Sequence, residues 1–520
     1  MSDLREFLWI AVLGGIAGFA YGFLIGANDV ANAFASSVSS KSITLKQAVI
    51  IASVFEFSGA FFLGASVTGT IRSKIVSTSL YDDEPEVLML GMFTSLFSAV
   101  LMLFLATHFG LPVSTTHDIV GCIMGFSIAA KGFDSIEWDV ARKIFVSWIV
   151  SPVFSGGIAA VFFGTIKYLV LRAKNPYERA FYTFPVVLVC GVGLNVFYVL
   201  YKATNNKSSF QSKLELSSTL PISFGSGAFC ALVWIFIIGP VAKKRVEAHL
   251  VKVNKPGEVA DDAVKDVPEL DDGNIEPTLV EGEQAEGSDK ATKVEELHTP
   301  QEQAVPLKTG LLGTLDRFAK ATYDQDLHAQ SMQENMRASQ IWDDGEKFDE
   351  NAEGLFTYTQ VFTACLNSFA HGANDVSNTI APLSAIIHIY RDGVVESKSE
   401  VQKWVLAYGG TAIVLGLLLY GYKVIKSIGY KLTLMTPSRG FSAELAASMV
   451  VVTASFNEIP VSSTQCIVGA VSGVGLVGGF KNVQWLFLLR VMFSWVFLFF
   501  AASLLSAGVF SFAAYSPSLV

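Results

Sequence analysis

Asp29 and Asp375 are carboxylates embedded in apolar sequence, and both occupy the same heptad. Gly26-Ala27-Asn28-Asp29-Val30-Ala31-Asn32 returns as Gly372-Ala373-Asn374-Asp375-Val376-Ser377-Asn378, 346 positions later. Carboxamide and carboxylate oxygens so grouped can coordinate an ion or take up free backbone groups. A buried carboxylate costs several kcal/mol, roughly 3 on insertion scales, so each Asp requires a cation, a proton or a set of donors. Helix packing by small residues would account for the Gly and Asn but not for the paired Asp. The Gly is expected to let the helix unwind beside these groups, as in broken membrane helices.

A second motif is also duplicated. Leu111-Pro112-Val113-Ser114-Thr115-Thr116-His117 returns as Ile459-Pro460-Val461-Ser462-Ser463-Thr464-Gln465, 348 positions on, and Ser147-Trp148 returns as Ser494-Trp495. Three landmarks in the same order define an internal duplication of roughly 150 residues. Pro112 and Pro460 are predicted in the first turn of a helix, with the hydroxyls of Ser114, Thr115, Thr116, Ser462, Ser463 and Thr464 beside its unsatisfied N–H groups. Such a helix start attracts an anion without a formal positive charge. Nearby Asp29 and Asp375 would repel that anion unless a small cation with oxygen ligands bound too, and obligatory co-binding is a physical basis for symport.

Other intramembrane polar residues fit less directly. Glu56 and Glu444 are candidate cation or proton sites, although the duplication sets Glu56 opposite Ile413 and Glu444 opposite Leu96. Lys143 and Arg490 are related by the duplication and read as snorkelling residues at a membrane boundary. His117 is matched by Gln465, so it reads as a hydrogen-bonding or packing residue rather than a proton relay.

The elements that must hold these groups are membrane helices. The chain has 520 residues, 51% of them hydrophobic, and a mean hydropathy of +0.46, which defines an all-α polytopic membrane protein. The net charge of −9 resides in residues 251–300, with 14 acidic and 5 basic side chains, so it carries no information about the solute, and no nucleic-acid partner is expected. About twelve spans are expected, at 7–25, 44–71, 88–107, 111–130, 144–166, 180–201, 219–241, 356–388, 404–424, 442–457, 460–480 and 484–512, some of them broken or re-entrant. The first reads as a retained span because it lacks a basic leader. Cys122, Cys190, Cys230, Cys365 and Cys466 lack CxxC or His-rich spacing and read as packing residues.

Lys167, Arg172, Lys174 and Arg179 in one loop, and Lys243-Lys244-Arg245 after the seventh span, assign both places to the cytoplasm. Residues 202–218 are then outside with the sequon Asn206-Lys207-Ser208, and the N- and C-termini lie outside as well. The two copies enter from opposite sides, giving inverted-topology repeats. The expected division is residues 1–170 as the first repeat, 171–242 as connecting spans, 243–355 as an acidic, largely disordered cytoplasmic loop, and 356–520 as the second repeat. Within the loop, residues 311–339 have amphipathic spacing but read as a solvated linker.

With its two heptads, its two Pro-Val-Ser-[Ser/Thr]-Thr elements, Phe55-Glu56, and the segments Met435-Thr436-Pro437 and Ala443-Glu444-Leu445, the chain resembles the inorganic phosphate transporter (PiT) family of sodium-phosphate symporters. The resemblance covers both membrane halves and omits the acidic loop. It implies a transport region and a scaffold region, a homodimer, and phosphate held between the repeats with sodium alongside; the expected setting is the plasma membrane. By motif, phosphate falls to the six hydroxyls with Asn28, Asn374, Asp29 and Asp375; sodium falls to Asn28, Asp29, Asn374 and Asp375. Coupling falls to Asp29, Asn32, Asp375, Asn378, Glu56 and Glu444. Ser463, Gln465 and Ser377 depart from the usual pattern, and Gln465 bears on the coupling ion.

The resemblance and the residues together predict cation-coupled symport of inorganic phosphate, with sodium as co-substrate and no other cofactor. Proton coupling through Glu56, Glu444 or His117 is the alternative, and a phosphate sensor or surface receptor is the alternative of a different class. An enzyme is disfavoured by the lack of a nucleophile-base pair. Asp29 and Asp375 as acceptors favour protonated phosphate over sulfate, which carries no donor.

Overall fold

The computed structural model describes residues 4–205, 215–253, 336–395, 401–421, 425, 429 and 431–516. Long apolar runs broken by Gly, Pro and charged turns give helices in chain order: α1 (Leu8–Ile25), a π-helical turn (Gly26–Val30), α2 (Ala31–Ser39), α3 (Leu45–Leu63), α4 (Ala65–Ser73), α5 (Pro85–His108), α6 (Thr115–Lys131), α7 (Trp138–Ile166), α8 (Pro176–Asn205), α9 (Leu216–Val233) and α10 (Gly239–Val253). After residues outside the described set come α11 (Met336–Asp344), α12 (Glu350–Asp392), α13 (Lys403–Tyr420), α14 (Pro437–Phe456), α15 (Ser463–Gly478) and α16 (Trp485–Tyr515). One compact unit comprises Met1–Val246 with Gln325–Val520. The sequon, most of the acidic segment and most of residues 311–339 lie outside the described residues.

Eight helices among the described residues are long and apolar enough to cross a membrane. The other four expected spans coincide with α6, α12, α14 and α15. These are shorter or more polar because they carry the candidate site, and hydropathy averages away where function demands polar groups. The periphery is apolar: only 22% of the most hydrophobic stretch of α16 is buried, and Leu504 and Phe512 are each 75% exposed. This is the surface a bilayer covers.

The duplication is written into the packing. Gly121 and Gly125 of α6 approach the Phe499 and Ser503 carbonyls of α16, while Gly469 and Gly473 of α15 approach the Pro152 and Gly156 carbonyls of α7. Each half therefore packs its hydroxyl-bearing helix on the other half's long helix. Likewise Gly26 and Gly416 join α1 to α13 at the Ile413 and Phe23 carbonyls, and Gly372 and Gly59 join α12 to α3 at the Glu56 and Phe369 carbonyls. Backbones this close admit only glycine, the small-residue packing expected where lipid supplies no hydrophobic drive between helices.

Two local expectations are corrected. The second heptad lies within the continuous 43-residue helix α12, and only the first heptad departs from α-helix, as a π turn. Its glycines serve close approach rather than unwinding. Pro112 and Pro460 also lie outside the helices: α6 and α15 begin at Thr115 and Ser463, with Ser114 and Ser462 as extended N-caps accepting from the His117 and Gln465 N–H groups. The prolines hold the approach extended, and the hydroxyl residue ends the run because it can cap.

The segment from α11 into α12 is tied to the bundle at Glu346. Its carboxylate meets Lys167 Nζ at 2.8 Å and Arg172 Nη2 at 2.6 Å, and its carbonyl accepts from Arg439 at 2.7 Å. Burial pushes the Glu346 carboxyl up, but the hydrogen bonds and charges of Lys167 and Arg172 outweigh it and hold it below its ordinary value of 4.5. A depressed carboxyl contributes stability above its unfolded value, and this is lost as pH falls through the folded value. Glu346→Gln should therefore lower the Tm in detergent by about 2 °C at pH 7, with the gap closing below pH 4.5. An equal gap at both pH values would assign the effect to packing instead.

Candidate functional site

The π turn, α6, α12 and α15 bring both heptads and both hydroxyl triplets to one buried centre. A π turn inserts an extra residue into the helix and turns its side chains inward, a device found at functional sites. Here it carries Asn28 and Asp29, both buried. Thr115 donates to Asp29 Oδ2 at 2.5 Å, and Thr464, from the other copy, donates to Oδ1 at 3.0 Å. Ser463 donates to Asp375, repeating the Thr115–Asp29 bond at the matched positions.

The Asn residues tie the centre to the extended approaches. Asn28 donates to Thr107 Oγ1 at 3.1 Å and the Leu111 carbonyl at 3.0 Å, and accepts from Val113 N at 3.2 Å. Asn374 donates to the Val461 carbonyl at 2.8 Å and to Asp375 Oδ1 at 2.7 Å. Asn378 bridges the copies, donating to Thr115 and Thr116 at 3.1 and 3.3 Å, while among the described residues its own buried Oδ1 has no hydrogen-bond partner. Thr116 donates to the Val461 carbonyl at 3.1 Å. The Asn32 side chain lies outside the described residues.

His371 is the residue the duplication did not point to. Its Nδ1 lies 2.9 Å from Glu56 Oε2 and its Nε2 lies 2.8 Å from Asp375 Oδ2. The second approach lacks hydrogen-bond geometry. Ser368 adds a bond to Glu56 at 3.1 Å. Glu56 thus reaches the centre through His371, whereas the matched positions in the other half carry buried Ile413 and Ile25. Both Glu56 and His371 break the duplication, and they break it at facing positions; that coincidence, with the i, i+4 spacing of His371 and Asp375, was the available signal.

Glu444 belongs to a separate cluster. Ser36, Ser37, Gln360 and Thr363 all donate to its carboxylate, at 2.7, 2.5, 3.1 and 2.9 Å. None of these four was singled out in the sequence, since they lie outside both heptads. His117 is held by Ser114 at 2.7 Å, faces the Gln465 amide at 3.3 Å and stacks on Trp148 with ring centroids 3.6 Å apart. The two unmatched residues therefore meet each other. Lys143 and Arg490 are exposed, and all five cysteines are free.

Ligand atoms of Asp29, His371 and Asp375 lie within 4.8 Å of one another, a spacing fit for a cation. Asp29, Asp375 and Glu56 are buried against a single imidazole. With all three carboxylates ionised, even a protonated His371 leaves that group net negative, and an uncompensated buried charge is strongly unfavourable. The hydroxyls suited to hold the anion now satisfy the two Asp, so a cation on the carboxylates would release them.

Apolar helices around a buried polar centre built from both copies are the architecture of an integral membrane transporter. The model of the PHO4 phosphate transporter family matches residues 25–506, and the chain belongs to this family. It is 30% identical to the "Phosphate-repressible phosphate permease pho-4" of Neurospora crassa, covering 98% of this chain and 97% of that one. It is 28% identical to "Sodium-dependent phosphate transporter 1" of Rattus norvegicus, covering 96% and 95%. A solved structure titled "The sodium-dependent phosphate transporter" matches 98% of this chain and 100% of its own, with a TM-score of 0.73 at 27% identity.

Proposed function

We propose that the protein is a sodium-coupled symporter of inorganic phosphate. The observation that carries this reading is the convergence of Asp29 and Asp375 with Thr115, Ser463 and Thr464 from both copies. In the unloaded site the hydroxyls donate to the carboxylates. Phosphate draws those donors away, and sodium takes their place on Asp29 and Asp375, with Asn28, Asn374 and the Asn378 Oδ1 nearby. Each ion then raises the other's affinity, and the coupling is reciprocal. The carboxylates also accept from a protonated phosphate, which disfavours sulfate.

Sodium is supported by the titles of the rat relative and the solved structure. Twelve crossings in two inverted repeats, residues 1–170 and 356–520, would let the halves rock about the shared centre for alternating access. The matched glycine approaches support that reading. The proposal includes a plasma-membrane homodimer with both termini outside and residues 243–355 in the cytoplasm. Glu56 acts through His371, and Glu444 with its four donors is a second coupling position.

The test is radiolabelled phosphate uptake into proteoliposomes under an imposed sodium gradient or an imposed proton gradient. Uptake driven by sodium supports the reading. Uptake driven only by protons overturns the coupling ion, and phosphate binding without uptake under either gradient favours a receptor.

A further inference from the structure

One buried carboxylate has no part in the centre described above. Asp118 lies in the first turn of α6, is fully buried, and is matched in the other half by Cys466. Among the described residues its Oδ2 has no hydrogen-bond partner. The weak donor Cys122 Sγ stands 4.0 Å from Oδ1. The groups facing it are Tyr21 of α1, Cys122 of α6 and, by charge, Asp29 of the π turn. Cys122 also donates to the Ala502 carbonyl of α16 at 3.6 Å.

Tyr21 decides what Asp118 must be. Its hydroxyl donates to the Thr115 carbonyl at 2.9 Å, so toward the Asp118 carboxyl beside it the phenolic oxygen is an acceptor. Two acceptors face each other unless a hydrogen lies between them. We propose that Asp118 is a proton-binding site: its carboxyl donates to Tyr21, Tyr21 donates to the Thr115 carbonyl, and Thr115 donates to Asp29. The ligand set is too poor in oxygen for a metal cation, whereas one proton satisfies it.

This inference rests on the reading that an anion binds at the start of α6. An ionised Asp118 would place negative charge in the same helical turn, competing for the N–H groups and dipole that hold the anion. It would also face Tyr21 without a donor and loosen the link to Thr115. Protonation therefore sets anion affinity, and it does so in one half only, since Cys466 stands at the matched position.

Two measurements test this on the full-length protein. A protonated-carboxyl infrared band should be present in wild-type protein in lipid and lost in Asp118→Asn and in Asp118→Cys. In proteoliposomes, the apparent KM for phosphate should rise from pH 6 to pH 9 by about tenfold more in the wild type than in Asp118→Asn. The ionisation of phosphate itself is common to both proteins and cancels. An infrared spectrum unchanged by both substitutions overturns the proton site, and parallel KM profiles overturn its control of the anion. A wild-type protein without phosphate uptake sinks the transport reading, while the infrared band still decides the site.

Discussion

Asp375→Asn should reduce sodium-driven phosphate uptake about 100-fold, corresponding to about 3 kcal/mol lost when one member of a buried charged group is removed. Asp375 is fully buried and gathers Ser463, Asn374, Asn378 and His371 around one carboxylate. Asn keeps the shape but deletes the charge that would hold a cation, and it turns an amide N–H toward groups that already donate. Asp29→Asn should have a similar effect, because Asp29 accepts from hydroxyls of both copies. The loss should appear in uptake and sodium dependence while the elution profile and Tm stay close to wild type. Uptake within threefold of wild type for both variants would remove these carboxylates from the transport site.

Gly26→Val should instead abolish the folded bundle. A Cβ at Gly26 would overlap the Ile413 carbonyl of α13, and neither backbone can yield, since Gly416 fits as closely against the Phe23 carbonyl on the same interface. Overpacking of flexible side chains costs about 1–3 kcal/mol, and a backbone contact should exceed that. The expected result is aggregation or a large fall in Tm on solubilisation. Gly15→Val on the same helix is the matched control, with no atom within 4 Å of the added Cβ, and should behave as wild type. A stable Gly26→Val protein would show that the two helices do not pack this closely in the membrane.

The duplicated motifs made the core of the site legible before any fold was known. Asp29, Asp375 and the hydroxyl residues stood out because hydrocarbon penalises polar groups, and the duplication repeated them. His371 was missed because the comparison of copies rewards what matches, and His371 matters by differing from Ile25. Asp118 was missed for the same reason, differing from Cys466. Four expected spans showed only irregular hydropathy, since the helices there, α6, α12, α14 and α15, carry the polar groups of the candidate site and its neighbouring cluster.

By itself, the sequence determined the class of the protein and the duplication, because the period of hydrophobicity and the recurrence of polar motifs are properties of the chain read in order. The tertiary structure alone decided which copy serves which carboxylate. Thr464 reaches Asp29 across 435 positions, and Asn378 reaches Thr115 across 263. It also decided that Glu56 joins the centre through an imidazole while Glu444 stands in a cluster of its own, and that the heptad glycines admit neighbouring backbones instead of breaking helices. Such pairings depend on how helices cross, and glycine-backbone approach fixes those crossings at distances that no local pattern encodes.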